Sequence, residues 1–229
     1  MLGKGVGMTT AIIVAAGKSE RFGANTDKAF LSLVNKPVVA WSLLAFERCP
    51  DVDGIVLVVR KAQIDAARAV ARMFGISKLR AVVAGGSRRQ ESVQAGLAAC
   101  DADTRIVVVH DGARPCVTDA TISAVVQAAK KVPAAVVGRR MTDTVKRVLK
   151  GTAVAGTEDR SKLWCVQTPQ AFQAKALRDA YAALGRNEVT DDSQAVEMAG
   201  VPVKIVEDNR FNLKITTADD LQAASAFLR

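Results

Sequence analysis

Short β-branched apolar runs alternate with helical patterns from residue 11 to residue 137, and this alternation limits the possible fold more than any other feature. The runs are typical of buried parallel strands, and they lie at residues 11–15, 54–59, 81–84, 105–110 and 134–137. The patterns between them predict helices at residues 38–48, 62–74, 90–100 and 121–131. This order predicts an α/β fold, with a doubly wound, mostly parallel sheet and helices on both faces.

The alternation breaks near Arg139. Residues 142–157 have β-branched side chains on both sides of Lys150-Gly151, which is typical of a hairpin. We expect this segment to protrude as an arm over about residues 139–160. Beyond it, the patterns predict helices at residues 173–184, 193–199 and 218–228, and strands at residues 203–206 and 213–215.

The N-terminal residues 1–9 have neither an apolar run nor a cleavage pattern, so we expect a disordered leader before one domain at residues 10–229. The apolar runs of the domain are far shorter than the about 18 residues of a membrane helix, and we expect no membrane association. The four cysteines lie far apart without a C-x-x-C spacing, which favours free thiols in a reducing cytoplasm over a zinc site or disulfides. The single histidine, His110, excludes zinc motifs that need two histidines.

The net charge of +9 indicates anionic partners, either nucleic acid or phosphorylated small molecules. Aromatic residues make up only 4% of the chain, which argues against the base-stacking surfaces of single-strand binders. A basic cluster comprises Lys130, Lys131, Arg139, Arg140, Lys146, Arg147 and Lys150. From residue types alone, this basic cluster fits a solvated surface, a phosphate-contacting element or a nucleic-acid surface.

A loop at residues 15–23 follows the first predicted strand and leads to Lys28. A glycine-bearing turn after a strand exposes N–H groups that bind phosphate. The loop is neither a P-loop nor a dinucleotide fingerprint, because Ile12 and Ser19 stand where those motifs need glycine. We interpret it as a basic loop of another type, which carries Lys18, Arg21 and Lys28 to the edge of the sheet.

Two more polar loops follow predicted strands, at the edge where doubly wound sheets bind ligands. Residues 84–93 read A-G-G-S-R-R-Q-E-S-V, and residues 110–115 read H-D-G-A-R-P. Asp111 is suited to a divalent cation or a ribose hydroxyl, and Arg114 is suited to a phosphate. The sequence therefore predicts a phosphate-binding site built from all three loops.

These loops resemble the motifs of the 2-C-methyl-D-erythritol 4-phosphate cytidylyltransferase family, which belongs to the methylerythritol phosphate route to isoprenoids. The resemblance runs from about Thr10 to the C-terminus. Its motifs occur in the family's order: A-A-G-x-x-x-R-F, G-G-x-x-R-x-x-S-V, H-D-G-A-R-P, D-T-V-K-R at 143–147, Q-T-P-Q-A-F at 167–172, T-D-D at 190–192 and N-L-K-I-T at 212–216.

The resemblance implies a Rossmann-like nucleotidyltransferase that transfers CMP from CTP to a small sugar-alcohol phosphate, needs Mg²⁺ and forms a homodimer through exchanged arms. The implied catalytic residues are Arg21, Lys28, Arg160 and Lys214. The implied nucleotide-binding residues are Ala15, Ala16, Gly17, Gly86, Ser87, Ser92, Asp111 and Gly112, with Asp111 also near the metal. The implied substrate-binding residues are Arg114, Thr144, Thr168 and Thr190.

The chemistry of such a transfer agrees with this residue set. A phosphate nucleophile is already ionised at neutral pH, so the reaction needs alignment and charge stabilisation and no general base. We therefore expect His110 to be structural. One departure concerns Lys28, since the family commonly has P-K-Q where this chain has Asp27-Lys28-Ala29. A carboxylate next to Lys28 is expected to weaken the field of the lysine at the phosphate.

Two other functions fit parts of the sequence. A ribitol 5-phosphate cytidylyltransferase shares the fold and chemistry, but such enzymes typically have valine at the position of Ala113. A nucleic-acid-binding domain would use the basic cluster, with steep salt dependence and no turnover. We expect neither nucleic acid nor a membrane to be a partner.

Overall fold

The structure is a computed structural model that describes residues 7–17 and 27–228. The first strand begins at Met8, so residues 8 and 9 belong to the sheet and not to the predicted leader. Residues 1–6 of that leader lie outside the described residues, as do Lys18, Ser19 and Arg21 of the first loop.

Strands and helices alternate along most of the described chain. The strands are β1 (Met8–Ala15), β2 (Ser32–Leu33), β3 (Lys36–Pro37), β4 (Gly54–Val59), β5 (Leu79–Ala84), β6 (Thr104–Asp111), β7 (Ala134–Arg140), β8 (Lys146–Val148), β9 (Val154–Thr157), β10 (Trp164–Gln173) and β11 (Val203–Glu207). The α-helices are α1 (Val38–Arg48), α2 (Ile64–Met73), α3 (Arg89–Ala98), α4 (Asp119–Ala129), α5 (Ala174–Leu184), α6 (Asp192–Met198) and α7 (Ala218–Phe227). Short 3-10 helices span Lys28–Phe30, Lys61–Gln63 and Arg160–Lys162.

The described residues form a seven-stranded central sheet in the order β11-β7-β10-β6-β1-β4-β5. Strand β10 runs antiparallel to β6 and β7, and the other paired strands run parallel. This confirms the predicted α/β fold with a mostly parallel sheet. In such a sheet the carboxyl ends of the strands form one edge, where ligands bind.

Both faces of the sheet are covered, as the apolar strands require. Helices α1, α2 and α4 pack on one face, with Phe46, Val70 and Ile122 in its core. Helices α3, α5 and α6 pack on the other, with Leu97 and Leu177 in its core. No helix of the described residues is long and apolar enough to cross a membrane.

Outside this pattern, one strand was missed and one predicted strand was wrong. Strand β10 was not predicted, since its sequence W-C-V-Q-T-P-Q-A-F-Q lacks a continuous β-branched run. Conversely, residues 213–215 do not form a strand. Ile215 instead donates its N–H to the carbonyl of Ala113 over 2.8 Å, which fastens this segment to the loop after β6.

Strands β8 and β9 pair as an antiparallel hairpin separate from the central sheet, as the pattern of the arm predicts. Its turn contains Gly151, whose φ of +61° is a conformation that favours glycine. The hairpin exposes apolar side chains: Leu149 is 82% exposed and Val154 is 60% exposed. This arm therefore has an apolar surface that residues 7–17 and 27–228 of its own chain leave exposed.

Candidate active site

One cleft lies at the carboxyl ends of β1, β5 and β6. It is lined by residues from all of the predicted loops that the structure describes, and by the segment that follows β11. The predicted site residues among them are Ala15, Ala16, Gly17, Lys28, Gly86, Ser87, Ser92, Asp111 and Lys214. The structure thus brings together residues from positions 15 to 214 of the chain.

A tight glycine turn after β5 forms one wall of this cleft. A Cβ atom on Gly85 would lie 2.5 Å from the Cβ of Ala16, and one on Gly86 would lie 2.4 Å from the Cβ of Glu91. The Gly86 N–H donates to the Ser92 hydroxyl over 3.2 Å. The turn therefore packs directly against β1 and the first turn of α3, with no room for larger residues.

The Glu91 carboxylate organises this turn. It accepts hydrogen bonds from the Ser87 N–H at 2.9 Å, the Ser87 hydroxyl at 2.8 Å and the Arg88 N–H at 3.1 Å. The hydrogen bond from the Arg88 side chain, followed by those from Ser87, lowers the pKa of Glu91 to about 2. Because the Ser87 hydroxyl donates to Glu91, its oxygen is left to accept a hydrogen bond from a ligand.

A charge cluster centred on Asp111 forms the opposite wall. Lys214 lies 2.8 Å from one carboxylate oxygen of Asp111, Arg89 lies 3.1 Å from the other, and Arg114 approaches to 3.6 Å. Burial alone would raise the pKa of Asp111, but the charges of Arg89 and Lys214 outweigh it and hold the pKa well below its usual range. Asp111 is therefore a permanent carboxylate that fixes the Lys214 ammonium at the cleft.

Arg89 connects Asp111 to a second, fully buried carboxylate. Its Nη1 donates to Asp192 over 2.7 Å, and Asp192 also accepts from the Tyr181 hydroxyl. Burial would lower the pKa of Arg89, but the charges of Asp192 and Asp111 outweigh burial and hold the pKa above its usual range. Sequence reasoning assigned no role to Arg89, although the motifs at 85–93 and 190–192 contain this arginine and its buried partner.

Comparisons with known proteins give the family of this chain. The family model described as IspD, 2-C-methyl-D-erythritol 4-phosphate cytidylyltransferase, matches residues 9–229. This chain belongs to that family. A member from Pelotomaculum thermopropionicum is 43% identical over 222 residues, which cover 96% of this chain and 93% of the relative. One from Desulforamulus reducens is 40% identical over 227 residues, covering 98% and 97%.

Solved structures of the family have the same fold. A crystal structure of 4-diphosphocytidyl-2C-methyl-D-erythritol synthase from Anaerococcus prevotii superposes with a TM-score of 0.85 at 30% identity and covers 97% of this chain and 98% of that chain. The Thermus thermophilus enzyme superposes with a TM-score of 0.78 at 31% identity, covering 95% and 98%.

The family motif H-D-G-A-R-P places His110 behind the cleft, with no exposed surface. Burial lowers the pKa of His110 to about 3, so the ring is neutral. Its ring nitrogens lie 3.3 Å from the carbonyl of Arg114 and 3.2 Å from the Thr168 hydroxyl, which also accepts from the Asp111 N–H. These bonds fit a structural histidine that fixes the loop carrying Asp111.

Gly112, Arg114, Thr168 and Thr190 are also predicted site residues, but the described lining of the cleft includes none of them. Gly112 packs against Ala15, and Arg114 donates to the carbonyl of Asn212 over 2.8 Å. Thr168 is 4% exposed, and Thr190 bonds to Gln194 on α6. Their contacts with substrate remain predictions.

Thr144 and Arg160 belong to the arm. Among the described residues of this one chain, the lining of the cleft includes neither. Arg160 donates to the carbonyl of Thr142, within the arm itself. In the described chain, neither residue therefore joins Lys28 and Lys214 in the lining of this cleft.

The basic cluster is spread over α4, β7 and the arm. Several of its members have acidic partners: Lys130 lies 3.0 Å from Asp51, Arg140 lies 3.6 Å from Glu207, and Arg147 lies 2.9 Å from Glu158. Much of its charge is therefore balanced locally, as on an ordinary solvated surface.

Proposed function

We propose that this chain transfers CMP from CTP to 2-C-methyl-D-erythritol 4-phosphate, giving 4-diphosphocytidyl-2-C-methyl-D-erythritol and pyrophosphate. The observation that carries the proposal is the meeting of Lys28, the glycine turn at Gly86 and the Asp111–Lys214 pair in one cleft. An anionic nucleotide and an anionic sugar phosphate react only where cations offset their mutual repulsion. In this cleft, cationic side chains lie beside the glycine turn, and the lack of side chains on the two glycines leaves room for a base.

In the reaction, a phosphate oxygen of the sugar phosphate attacks the α-phosphorus of CTP, and the bond from this phosphorus to the bridging oxygen breaks to release pyrophosphate. Lys28 and Arg21 would stabilise the charge on the α-phosphate. Lys214, held by Asp111 at 2.8 Å, would align the incoming phosphate together with Arg114, Arg160, Thr144, Thr168 and Thr190.

The glycine turn supports a preference for cytosine. Cytosine has an amino group that donates hydrogen bonds where uracil has a carbonyl, and the Ser87 oxygen in this cleft is left to accept. The closeness of Gly85 to Ala16 and Ser92 keeps the turn narrow, which disfavours the larger purines.

Asp111 is suited to a magnesium ion that is held chiefly by the substrate. The described residues gather no set of three or more metal-binding side chains, and Mg²⁺ at nucleotide sites commonly takes one or two carboxylates and completes its shell with phosphates and water. Asp111, ionised and facing the cleft, would supply the protein ligand. The ion, when bound, neutralises triphosphate charge.

A steady-state assay of pyrophosphate release tests this function. We expect turnover with CTP and 2-C-methyl-D-erythritol 4-phosphate, with ribitol 5-phosphate, ATP, GTP and UTP far slower, and loss of activity in excess chelator. Equal rates with ATP, or faster turnover of ribitol 5-phosphate, would contradict the proposed substrates. Full activity in excess chelator would contradict the metal.

We also propose a homodimer in which the arms exchange, so that Thr144 and Arg160 complete the partner's cleft. The exposed Leu149 and Val154 support it, because an uncovered apolar hairpin gains from burial against a second copy.

A cytoplasmic location completes the proposal. The four cysteines are free thiols, which is the ordinary state in a reducing compartment. Fractionation of the native cells, with activity measured in each fraction, tests this location.

A further inference from the structure

Asp27, the residue that departs from the family's usual proline before the lysine, has its carboxylate bound to Arg60. The Oδ2 atom of Asp27 lies 2.8 Å from Nη2 and 3.0 Å from Nε of Arg60. The Asp27 side chain is only 6% exposed, and that of Arg60 is 33% exposed. The charge of Asp27 is therefore offset by a partner other than the neighbouring Lys28.

The second oxygen of the same carboxylate caps the short helix that begins at Lys28. Oδ1 of Asp27 accepts the N–H of Ala29 over 3.2 Å. Ala29 itself is 4% exposed and packs in the core beneath α1. The backbone of Lys28 is thus fixed from both sides, by Asp27 before it and Ala29 after it.

The backbone of Arg60 is held in place because Arg60 directly follows β4. Residues Ile55 to Val59 of that strand have no exposed surface. The carbonyl of Val59 also accepts the N–H of Gly85 over 2.8 Å, which holds the glycine turn of the cleft. The end of β4 therefore supports both the glycine turn and, through Arg60, the segment that carries Lys28.

We propose that Asp27 and Arg60 are positioning residues that hold Lys28 in the cleft at the place where the α-phosphate reacts. The inference rests on the proposed function, in which Lys28 stabilises charge on that phosphate. Asp27 acts through the placement of Lys28 and touches no reacting atom. The sequence led us to expect that the Asp27 carboxylate weakens the field of Lys28. Because Arg60 offsets this negative charge, we now expect Asp27 to support the action of Lys28.

The two views of Asp27 predict opposite signs for Asp27→Asn. If the carboxylate weakens Lys28, its removal raises kcat. If it positions Lys28, its removal lowers kcat, because a displacement of about 1 Å in an aligned site can cost up to 10²-fold. We expect kcat to fall about tenfold with the KM for CTP changed less than about twofold, since the loss affects a group that acts in the transition state.

Arg60 variants test the pair itself. Arg60→Met leaves the Asp27 carboxylate unpaired beside Lys28, so we expect a larger loss of kcat than for Asp27→Asn. The double variant, Asp27→Asn with Arg60→Met, no longer has this unpaired charge, so its kcat should be no lower than that of Asp27→Asn alone. Such non-additive effects on kcat show that the two residues are directly coupled. Arg60→Lys keeps the charge and should retain most of the activity.

A Lys28→Ala background shows whether the pair acts through the lysine. There we expect Asp27→Asn to cause no further loss of kcat. Asp65→Asn and Arg68→Met provide a matched control, because this pair of the same residue types lies exposed on α2, 3.6 Å apart. Both control variants should keep wild-type kcat.

The outcomes separate this inference from the proposed function. A wild type that does not consume CTP and the sugar phosphate overturns both. An active wild type with an impaired Lys28→Ala, but with unchanged or higher kcat in Asp27→Asn and Arg60→Met, overturns the positioning pair alone. Circular dichroism and urea unfolding identify any variant that fails to fold, and the comparison of Arg60→Lys with Arg60→Met then decides.

Discussion

Arg89 donates from Nη1 to the carboxylate of Asp192 over 2.7 Å, and the Asp192 side chain has no exposed surface. The same guanidinium reaches Asp111 at 3.1 Å. Arg89 therefore neutralises one buried carboxylate behind the cleft and orients another inside it. Removal of one partner from a buried ion pair costs more than the pair itself contributes, since it leaves a buried charge uncompensated.

Arg89→Met should consequently lower the free energy of unfolding by about 3 kcal/mol, in the range for a broken buried pair. Urea unfolding followed by circular dichroism measures this loss. Arg88→Met is the matched control, because the neighbouring Arg88 pairs at the surface with Glu91 and Glu188, and its loss should be much smaller. Equal unfolding midpoints for the two variants would contradict the role given to Arg89.

Arg89 also illustrates what the sequence could not reveal. Its partner Asp192 lies 103 residues further along the chain, and no local pattern reports such a pairing. The bounds of β4 and α1 were predicted correctly, because a continuous apolar run and a helical period are local signals. Strand β10 was missed because its sequence lacks a continuous β-branched run, and no local pattern reports its place between β6 and β7.

The candidate site was predictable to a similar degree. The motifs at the strand ends located the glycine turn and Asp111, because the carboxyl ends of parallel strands meet at one edge. That Asp27 pairs with Arg60 follows from the packing of the segment before α1 against the end of β4. Composition and spacing gave no indication of that contact.

His110 should make stability depend on pH in a window of its own. Its pKa is about 3 in the folded chain and about 6.5 when unfolded, so between these values the unfolded chain binds one more proton. Stability therefore falls as the pH falls through this range. From pH 7.5 to pH 5 we expect a loss of about 2 kcal/mol from this group.

Urea unfolding at steps across that range checks the prediction, and His110→Gln is the comparison. His110 is the single histidine of the chain, and most carboxylates titrate below about pH 5, outside this range. In His110→Gln the free energy of unfolding should lose this dependence on pH, whatever its absolute value. A slope that persists in His110→Gln would assign the pH dependence to other groups.

Gly86→Ala should weaken CTP binding. Its new Cβ would lie 2.4 Å from the Cβ of Glu91, so the turn must shift away from α3 and displace the groups that face the base. We expect the KM for CTP to rise roughly tenfold or more, given the sensitivity of aligned sites to small displacements. Gly54→Ala is the control, because Gly54 lies at the amino end of β4, away from the cleft, and its Cβ would lie nearest to the flexible Arg80 side chain, at 3.1 Å. An unchanged KM in Gly86→Ala would show that the turn does not contact the nucleotide.

The exchanged-arm dimer predicts that two inactive variants restore activity to each other. Lys28→Ala damages the cleft, and Arg160→Ala damages the arm. If the arm of one chain serves the cleft of the other, a mixed dimer has one doubly damaged site and one intact site. Random pairing after joint unfolding and refolding makes half of the dimers mixed, so about a quarter of all sites should recover.

A second pair of variants makes this result specific. Lys28 and Lys214 line the same cleft within one chain, so a mixture of Lys28→Ala with Lys214→Ala leaves no intact site in any dimer and should stay inactive. Size-exclusion chromatography with light scattering confirms that dimers have formed in both mixtures. Because both mixtures undergo the same refolding, a difference between them reports the position of Arg160 relative to the cleft. If dimers form and the Lys28→Ala with Arg160→Ala mixture remains as inactive as its parents, Arg160 acts within its own chain and the exchange of arms is wrong.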